Sequence, residues 1–396
     1  MVTRVMFVAV GLAAAWAAPT RGAGGELPAS PAYEKPFLAG GRVAVGGYMD
    51  LEFRADEGGS SFDQHHFVPF IYAAVSERVH VASELEFEHG GFVAGDEETD
   101  GEINVEFATV DITVTEALNF RSGVVLSPLG RLNVYHDAPM LDLTERPLVD
   151  REIIPSTLSE SGMGLFGTVY PSEATTLHYE AYLVNGFGAG TVRDGTLDLR
   201  NGRGSRKQDN NSGRAFVGRL GFSPRLGSEV GVSVHTGDYD DAGRRNLTLA
   251  AVDAAYAHGA LELAGEGAWA RAEIAKEGVA SESGAVASGV TAEAAVERDA
   301  LRAAGFYLEA RYHFLEGRLS GLPESAFTGV VRAGYVDRDT DRDGFDRERL
   351  TLGVNFRVTE ETAIKNDLLI DRARAGGSTA WGDTRTGYRL SVATYF

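Results

Sequence analysis

The chain has 396 residues, with 57 acidic against 37 basic side chains and a formal net charge of −20, a balance that keeps nucleic acid away. It contains no cysteine, so neither a disulfide framework nor a thiolate metal site is available. Mean hydropathy is slightly polar at −0.14, and beyond the first stretch no apolar run is long enough to cross a membrane as a helix.

Arg4 is followed by the apolar run Val5 to Ala18 and by Ala15-Trp16-Ala17, a small-x-small cleavage site. Residues 1–23 therefore read as a secretory signal peptide, cut after Ala17 or near Gly22 or Ala23. The run is about fourteen residues long, short of the roughly twenty an anchor helix needs. Pro28, Pro31 and Pro36 discourage regular structure over 24–40, which reads as a periplasmic lead-in to a single domain over 41–396.

Residues 43–53 alternate, with Val45, Gly47, Met49, Leu51 and Phe53 on one side and Asp50, Glu52 and Arg54 on the other. A strand with one oily and one charged face suits the wall of a water-filled barrel. Strands follow at 66–72 and 79–89, the latter placing Glu84, Glu86 and Glu88 on one face against Leu85 and Phe87. Three like charges in a row require water or cations from a neighbouring strand, although a solvated sheet of a soluble protein would tolerate them equally. Strand 102–114 changes phase near Ala108, the mark of a bulge.

Between strands at 118–126 and 163–170 lies a long connection, 127–161, without strand alternation. Such segments are functional, disordered or folded inward. It carries Arg131, His136, Asp137, Asp142, Glu145, Arg146, Asp150 and Arg151, charges of both signs able to set a field across a pore. The competing reading is a surface loop with solvated charges.

Strands continue at 175–185, 214–223, 229–237, 247–257, 260–271, 303–314, 326–337, 348–357, 362–372 and 383–396, giving about sixteen in all. The long connections 186–211 and 273–299 read as extracellular loops. Asp337, Asp339, Asp341 and Asp343 precede Gly344 in a pattern that resembles the acidic half of a calcium loop, but Leu350 stands where the bidentate glutamate belongs. A solvated acidic turn is the other reading. The last strand sets Tyr388, Leu390, Val392 and Thr394 against Arg389, Ser391 and Ala393 and stops on Phe396.

That ending resembles the closing strand of Gram-negative outer-membrane barrels, which implies pairing of the last strand with the first and reading of Phe396 by the barrel-assembly machinery. The runs His66-Phe67-Val68-Pro69-Phe70, Ser83 to His89, Gly123 to Asn133, Ile153-Ile154-Pro155-Ser156-Thr157 and Gly344 to Asn355 are similar to the phosphate-selective porin family. Where that family carries aromatics after the Ile-Ile-Pro-x-Thr run, this chain has Leu158-Ser159-Glu160-Ser161, so a stacking contact does not carry over. The resemblance implies an all-β, antiparallel up-and-down transmembrane barrel of about sixteen strands in outer-membrane lipid, a homotrimer, and a loop that narrows the lumen.

No nucleophile elbow and no His-Glu-x-x-His run accompanies His65, His66, His136, His178 or His235, so no catalytic residues and no cofactor are expected. His235 reads as a solvated wall residue without a partner. The function expected is a porin passing small hydrophilic solutes or ions; the rival is a plugged barrel serving as an adhesin or anchor. Arg54, Arg121, Arg219, Arg271, Arg311, Arg332, Arg357 and Arg389 fall in the wet phase. With Arg131, Arg146 and Arg151 on the loop beside Asp150, they favour anions such as phosphate, provided that the early acids Asp50, Glu52, Glu84, Glu86 and Glu88 pair with wall arginines. Unpaired, those acids favour cations.

Overall fold

A strand with one oily face and one polar face satisfies its backbone only beside neighbours of the same kind, and a ring of such strands leaves no free edge. The computed structural model describes residues 42–90, 102–204, 206–274, 298–374 and 378–396, so the expected signal peptide and lead-in lie outside the described residues. The strands are β1 (Arg42–Asp56), β2 (Gly59–Ala74), β3 (Val79–Glu88), β4 (Glu102–Thr115), β5 (Leu118–Leu126), β6 (Ser159–Ser172), β7 (Thr175–Val184), β8 (Val192–Arg193) and β9 (Thr196–Leu197). They continue as β10 (Ala215–Arg225), β11 (Ser228–Asp238), β12 (Asn246–His258), β13 (Leu261–Glu273), β14 (Ala300–Phe314), β15 (Ala326–Asp337), β16 (Asp346–Arg357), β17 (Thr362–Ala373) and β18 (Arg385–Tyr395). Sixteen of them close an antiparallel barrel, while β8 and β9 form a separate small hairpin.

All sixteen strands expected from the sequence are present. β2 begins at Gly59, earlier than the expected 66, because it runs on through Asp63 and His65 to a tight turn with β1. The β4 bulge expected near Ala108 falls at Glu106, where Glu84 faces Phe107 and Leu85 faces Val105. The extra residue turns Glu106 inward, only 1% exposed.

Closure is made by β18 on β1, with Tyr395 opposite Tyr48 and Arg389 opposite Arg54. Phe396 extends the ladder by exchanging backbone hydrogen bonds with Gly47, at 2.9 and 3.1 Å. Its ring stacks on Phe67 with planes 9° apart. A side chain at Gly47 would strike the Val68 carbonyl and the Phe396 ring, so the seam requires glycine there.

The alternation holds around the ring. Val45, Met49, Leu51, Val230, Val232, Val252, Leu308, Val354 and Val392 are exposed on the outside, an apolar belt far larger than an isolated soluble barrel would leave open. Tyr170, Phe222 and Tyr312 project near the end that carries the tight turns at 173–174 and 226–227, where interfacial aromatics belong. Asp50, Glu52, Arg219, Arg332, Lys365, Arg389 and Ser391 are buried on the inside.

Candidate constriction site

The connection after β5 folds into the lumen. It contains a short 3-10 turn (Ala138–Met140) and the helix α1 (Leu148–Glu152). Its two feet are tied together: Ser127 N donates to Leu158 O at 3.0 Å, and Asn133 Nδ2 donates to the carbonyls of Ser127 and Leu158 at 2.7 and 2.9 Å. Gly130, at φ +71, donates its N–H to Ser233 Oγ at 2.8 Å, and Glu266 accepts from the N–H groups of Arg131 and Leu132. A β-carbon at Gly130 would collide with the Glu266 carboxylate, so backbone and wall approach as only glycine permits.

Beyond this neck the loop has an oily face and a charged face. Leu129, Leu132, Leu141, Leu148, Val149, Ile153, Ile154 and Leu158 are buried in one cluster with Leu247, Leu249 and Ala251 of β12, Ala268, Ala270 and Ala272 of β13, Ala303 and Tyr307 of β14, and Val336 of β15. The inward positions of β12 and β13 are thus small and apolar where a purely water-lined wall would be polar. Alanine there makes the room that the loop's leucines and isoleucines fill.

On the charged face Asp142 accepts from Arg357 at 3.0 Å and from Asn355 at 2.9 Å, with Arg311 at 3.3 Å. Thr144 N donates to Asp367 at 2.6 Å and Lys365 Nζ to Ala138 O at 2.6 Å. Glu145 binds Arg389 at 2.6 Å, Arg151 at 2.6 Å and also Arg349. Arg332 Nη1 donates to the Glu145 carbonyl at 2.7 Å. The loop is thereby pinned to β14 through β18, and most wall arginines there are neutralised by carboxylates.

The other sequence-derived residues fall as follows. Arg121 makes a bidentate pair with Asp111, both contacts 2.8 Å, and lies over the Phe166 ring. Arg219 grips Asp253 bidentately, and Arg131 reaches Glu229 at 3.3 Å. Arg54 pairs with Glu52 at 2.8 Å and Asp63 at 3.3 Å. Asp150 is fully buried in α1, not at a water-lined constriction. His235 is not a lone wall residue: its Nε2 meets Glu160 at 3.0 Å and its ring meets Phe187 edge-on.

The expectation that the early acids pair with wall arginines holds for Glu52 alone. Asp50, Glu86 and Glu88 meet imidazoles instead, and Glu106 meets His136 Nε2 at 3.2 Å. Among the described residues no lysine or arginine lies within ion-pair distance of Glu84, Glu86, Glu88 or Glu106. The inner face of β1 to β4 is therefore an acidic wall.

Facing it are Arg146, which the sequence reading placed on the loop, and three arginines it did not single out, Arg200, Arg203 and Arg206. Arg146 donates to Thr157 Oγ1 at 3.1 Å, Arg200 to Ser156 O at 3.2 Å, Arg203 to Thr157 O at 3.0 Å, and Arg206 to Asn104 at 2.8 Å and Ser159 at 2.8 Å. None of the four has a carboxylate within ion-pair distance among the described residues. Burial, with the guanidiniums of Arg200 and Arg206 beside it, pulls Arg203 below the usual arginine range. Arg200, Arg203 and Arg206 sit in a loop whose glycines and charges gave only an exposed-loop signal; nothing local shows that it folds back over the mouth.

Asp339 accepts from Arg342 at 2.6 Å and from Arg298, while Asp341 pairs with Arg302 at 2.9 Å, so two of the four aspartates of the acidic turn are engaged by guanidiniums. Burial raises the Asp339 carboxyl, but hydrogen bonds from Arg298 and Arg342 outweigh it and hold the group below its ordinary value.

No protein-family model matches the chain. An uncharacterized protein of Aquifex aeolicus (strain VF5) is 29% identical over 353 residues, covering 85% of this chain and 77% of that protein. The anion-selective porin from Comamonas acidovorans superposes with a TM-score of 0.56 at 12% identity, over 90% of this chain and 100% of that one. The trimer form of OmpT, an outer membrane protein of Vibrio cholerae, superposes with a TM-score of 0.54 at 11% identity, over 90% and 99%. The fold is that of outer-membrane porins.

Proposed function

We propose that the protein is an outer-membrane channel for passive diffusion of small hydrophilic solutes, narrowed by the loop after β5. The observation that carries this is the loop itself: it crosses the lumen, is anchored on one side by an apolar patch, and leaves charged groups of opposite sign facing each other. Arg54, His65 and Glu88 near one end, and Arg121, His178 and Glu180 near the other, keep partial contact with solvent inside the barrel. Solvated charges at both ends of the lumen are what a water-filled channel requires. Swelling of liposomes in isotonic sugar solutions tests the reading, since a plugged barrel would admit nothing.

Among ions, anions such as phosphate are favoured. Among the described residues no carboxylate lies within ion-pair distance of Arg146, Arg200, Arg203 or Arg206, and each offers a planar fork suited to a phosphate or carboxylate. The porin from Comamonas acidovorans, which shares the fold, is anion-selective. Cation preference is the second reading, supported by the acidic wall. Reversal potentials in a salt gradient separate them: anion preference in the wild type should fall or invert when Arg146, Arg203 and Arg206 are replaced by alanine, and an unchanged potential would exclude the arginines. We also infer a homotrimer, a state recorded for OmpT of Vibrio cholerae, and entry through the barrel-assembly machinery; cross-linking of the purified protein tests the first.

A further inference from the structure

We propose that the acidic wall binds one divalent transition-metal ion of the zinc class through His66 Nε2, Glu86 and Glu88. The local backbone is built to gather these groups. Between Asp50 and Glu52 the β1/β2 register slips, so that Leu51 alone faces both Gln64 and His65. Gln64 bridges the slip by donating to the carbonyls of Asp50 and His66. Adjacent residues of a regular strand point to opposite faces, but this bulge brings His65 and His66 to the same one, their ring centroids 3.8 Å apart.

His66 is 6% exposed and its two nitrogens have different surroundings. Nδ1 lies 2.7 Å from Asp50 Oδ1, a hydrogen bond that places the proton on Nδ1 and leaves the Nε2 lone pair pointing the other way. There it meets Glu86 Oε1 at 3.5 Å and Glu88 Oε1 at 3.8 Å. These separations are long for hydrogen bonds, yet close to the edges of a metal's coordination shell. With metal–nitrogen and metal–oxygen bonds of about 2.0–2.2 Å, neighbouring tetrahedral ligands stand about 3.4 Å apart. The ligand atoms of His66, Glu86 and Glu88 all lie within 4.8 Å of one another. A carboxylate holding an imidazole by one nitrogen while the other faces two further carboxylates is the arrangement that orients histidine toward a metal.

Charge points the same way. Glu86 and Glu88 share a strand face with Glu84, Glu86 stands close to Glu106, and no arginine or lysine among the described residues comes within ion-pair distance of them. A dication relieves that repulsion. One nitrogen and two oxygens leave room for a fourth ligand, water or a passing anion, on the solvent-exposed side of Glu88. His65, held by Glu52 at 3.0 Å, packs on His66 and keeps its ring in place.

The site depends on the channel reading only in opening onto water inside the barrel, and its test is independent of conductance. Detergent-solubilised full-length protein, stripped with a chelator and dialysed, is titrated with Zn2+ and the bound metal counted. The expected result is saturable uptake of one ion per chain. Replacing His66 by Asn or Glu86 by Gln should weaken it by at least tenfold, and Asp50→Asn by roughly 10- to 100-fold through loss of the orienting bond, while exposed His258→Asn leaves it unchanged. Cu2+ used as a probe should show one imidazole nitrogen in its paramagnetic spectrum, absent in His66→Asn. Each variant is first checked for a heat-sensitive gel shift, so that loss of folding is not read as loss of a ligand. No saturable uptake, or uptake equal in wild type, His66→Asn and Glu86→Gln, overturns the site and leaves the channel standing; a metal-binding protein that passes no solute leaves the site and overturns the channel.

Discussion

Asn133 and Leu158 exchange two hydrogen bonds across the neck of the inward loop, Nδ2 to the Leu158 carbonyl at 2.9 Å and the Leu158 N–H to Oδ1 at 2.8 Å. With the third bond, to Ser127 O, a single amide substitutes for the ladder that β5 and β6 abandon at this point. Asn133→Ala leaves the buried Leu158 N–H without a partner, at about 1–3 kcal/mol if water cannot reach it, while the carbonyls of Ser127 and Leu158 keep only the N–H groups of Leu129 and Ser127. The loop should then fluctuate, seen as excess open-channel noise and as protease cleavage within 127–158. A variant as quiet and resistant as the wild type would show that the apolar face alone fixes the loop.

Glu145 holds Arg349, Arg389 and Arg151 together. Glu145→Gln removes the charge and keeps the shape, leaving Arg349 with Asp371 and Arg389 with Asp56. Hydrogen bonds to charged groups contribute about 1.5–3 kcal/mol each, so the charged face of the loop should loosen while the apolar face stays docked. Conductance should rise and the reversal potential should move toward that of the anion, because a negative charge is lost and guanidinium is freed. A shift toward cations would contradict this placement.

The seam between β1 and β18 depends on Phe396 and Gly47. Phe396→Asp, or Gly47→Val, should yield exported chain that lacks the heat-sensitive gel mobility of a folded barrel. Either variant migrating like the folded wild type would show that closure does not need the Phe396 contacts.

On the loop after β15, Asp339 has its folded pKa held below the ordinary carboxylate value by Arg298 and Arg342. A depressed carboxylate contributes stability that is complete above its unfolded pKa, about 3.9, and disappears as pH falls through the lower folded value. The contact should therefore survive mild acid. Hydrogen exchange in 338–345 should stay slow from pH 7 to about 5 and quicken only below about 4, whereas Asp339→Asn should be fast throughout. Loosening already at pH 6 would point to a histidine instead.

Strand number and facing were legible because alternation is a local signal: Asp50 and Glu52 against Met49 and Leu51, or Arg389 and Ser391 against Tyr388 and Val392, can be read two residues at a time. The partners inside the lumen were not. Asp142 finds Arg357, Thr144 finds Asp367 and Glu145 finds Arg389 across more than two hundred positions, and no spacing rule announces such pairs. The alanines at 268, 270 and 272 and the leucines at 247 and 249 carried a readable anomaly, apolar residues in the inward phase, that marks where the loop docks. The bulge that turns His65 toward His66 is invisible without its partner strand, and it breaks the alternation on which the reading relied.

The central claim is that the barrel conducts and that the loop sets its width. Single-channel recording in planar bilayers tests both with the wild type and a variant in which residues 138–152 are replaced by a short glycine-serine linker. Discrete steps from the wild type, and larger steps with weaker ion preference from the shortened loop, are the outcome expected. Folded wild-type protein that inserts without any conductance steps, or steps of equal size in both proteins, would contradict it.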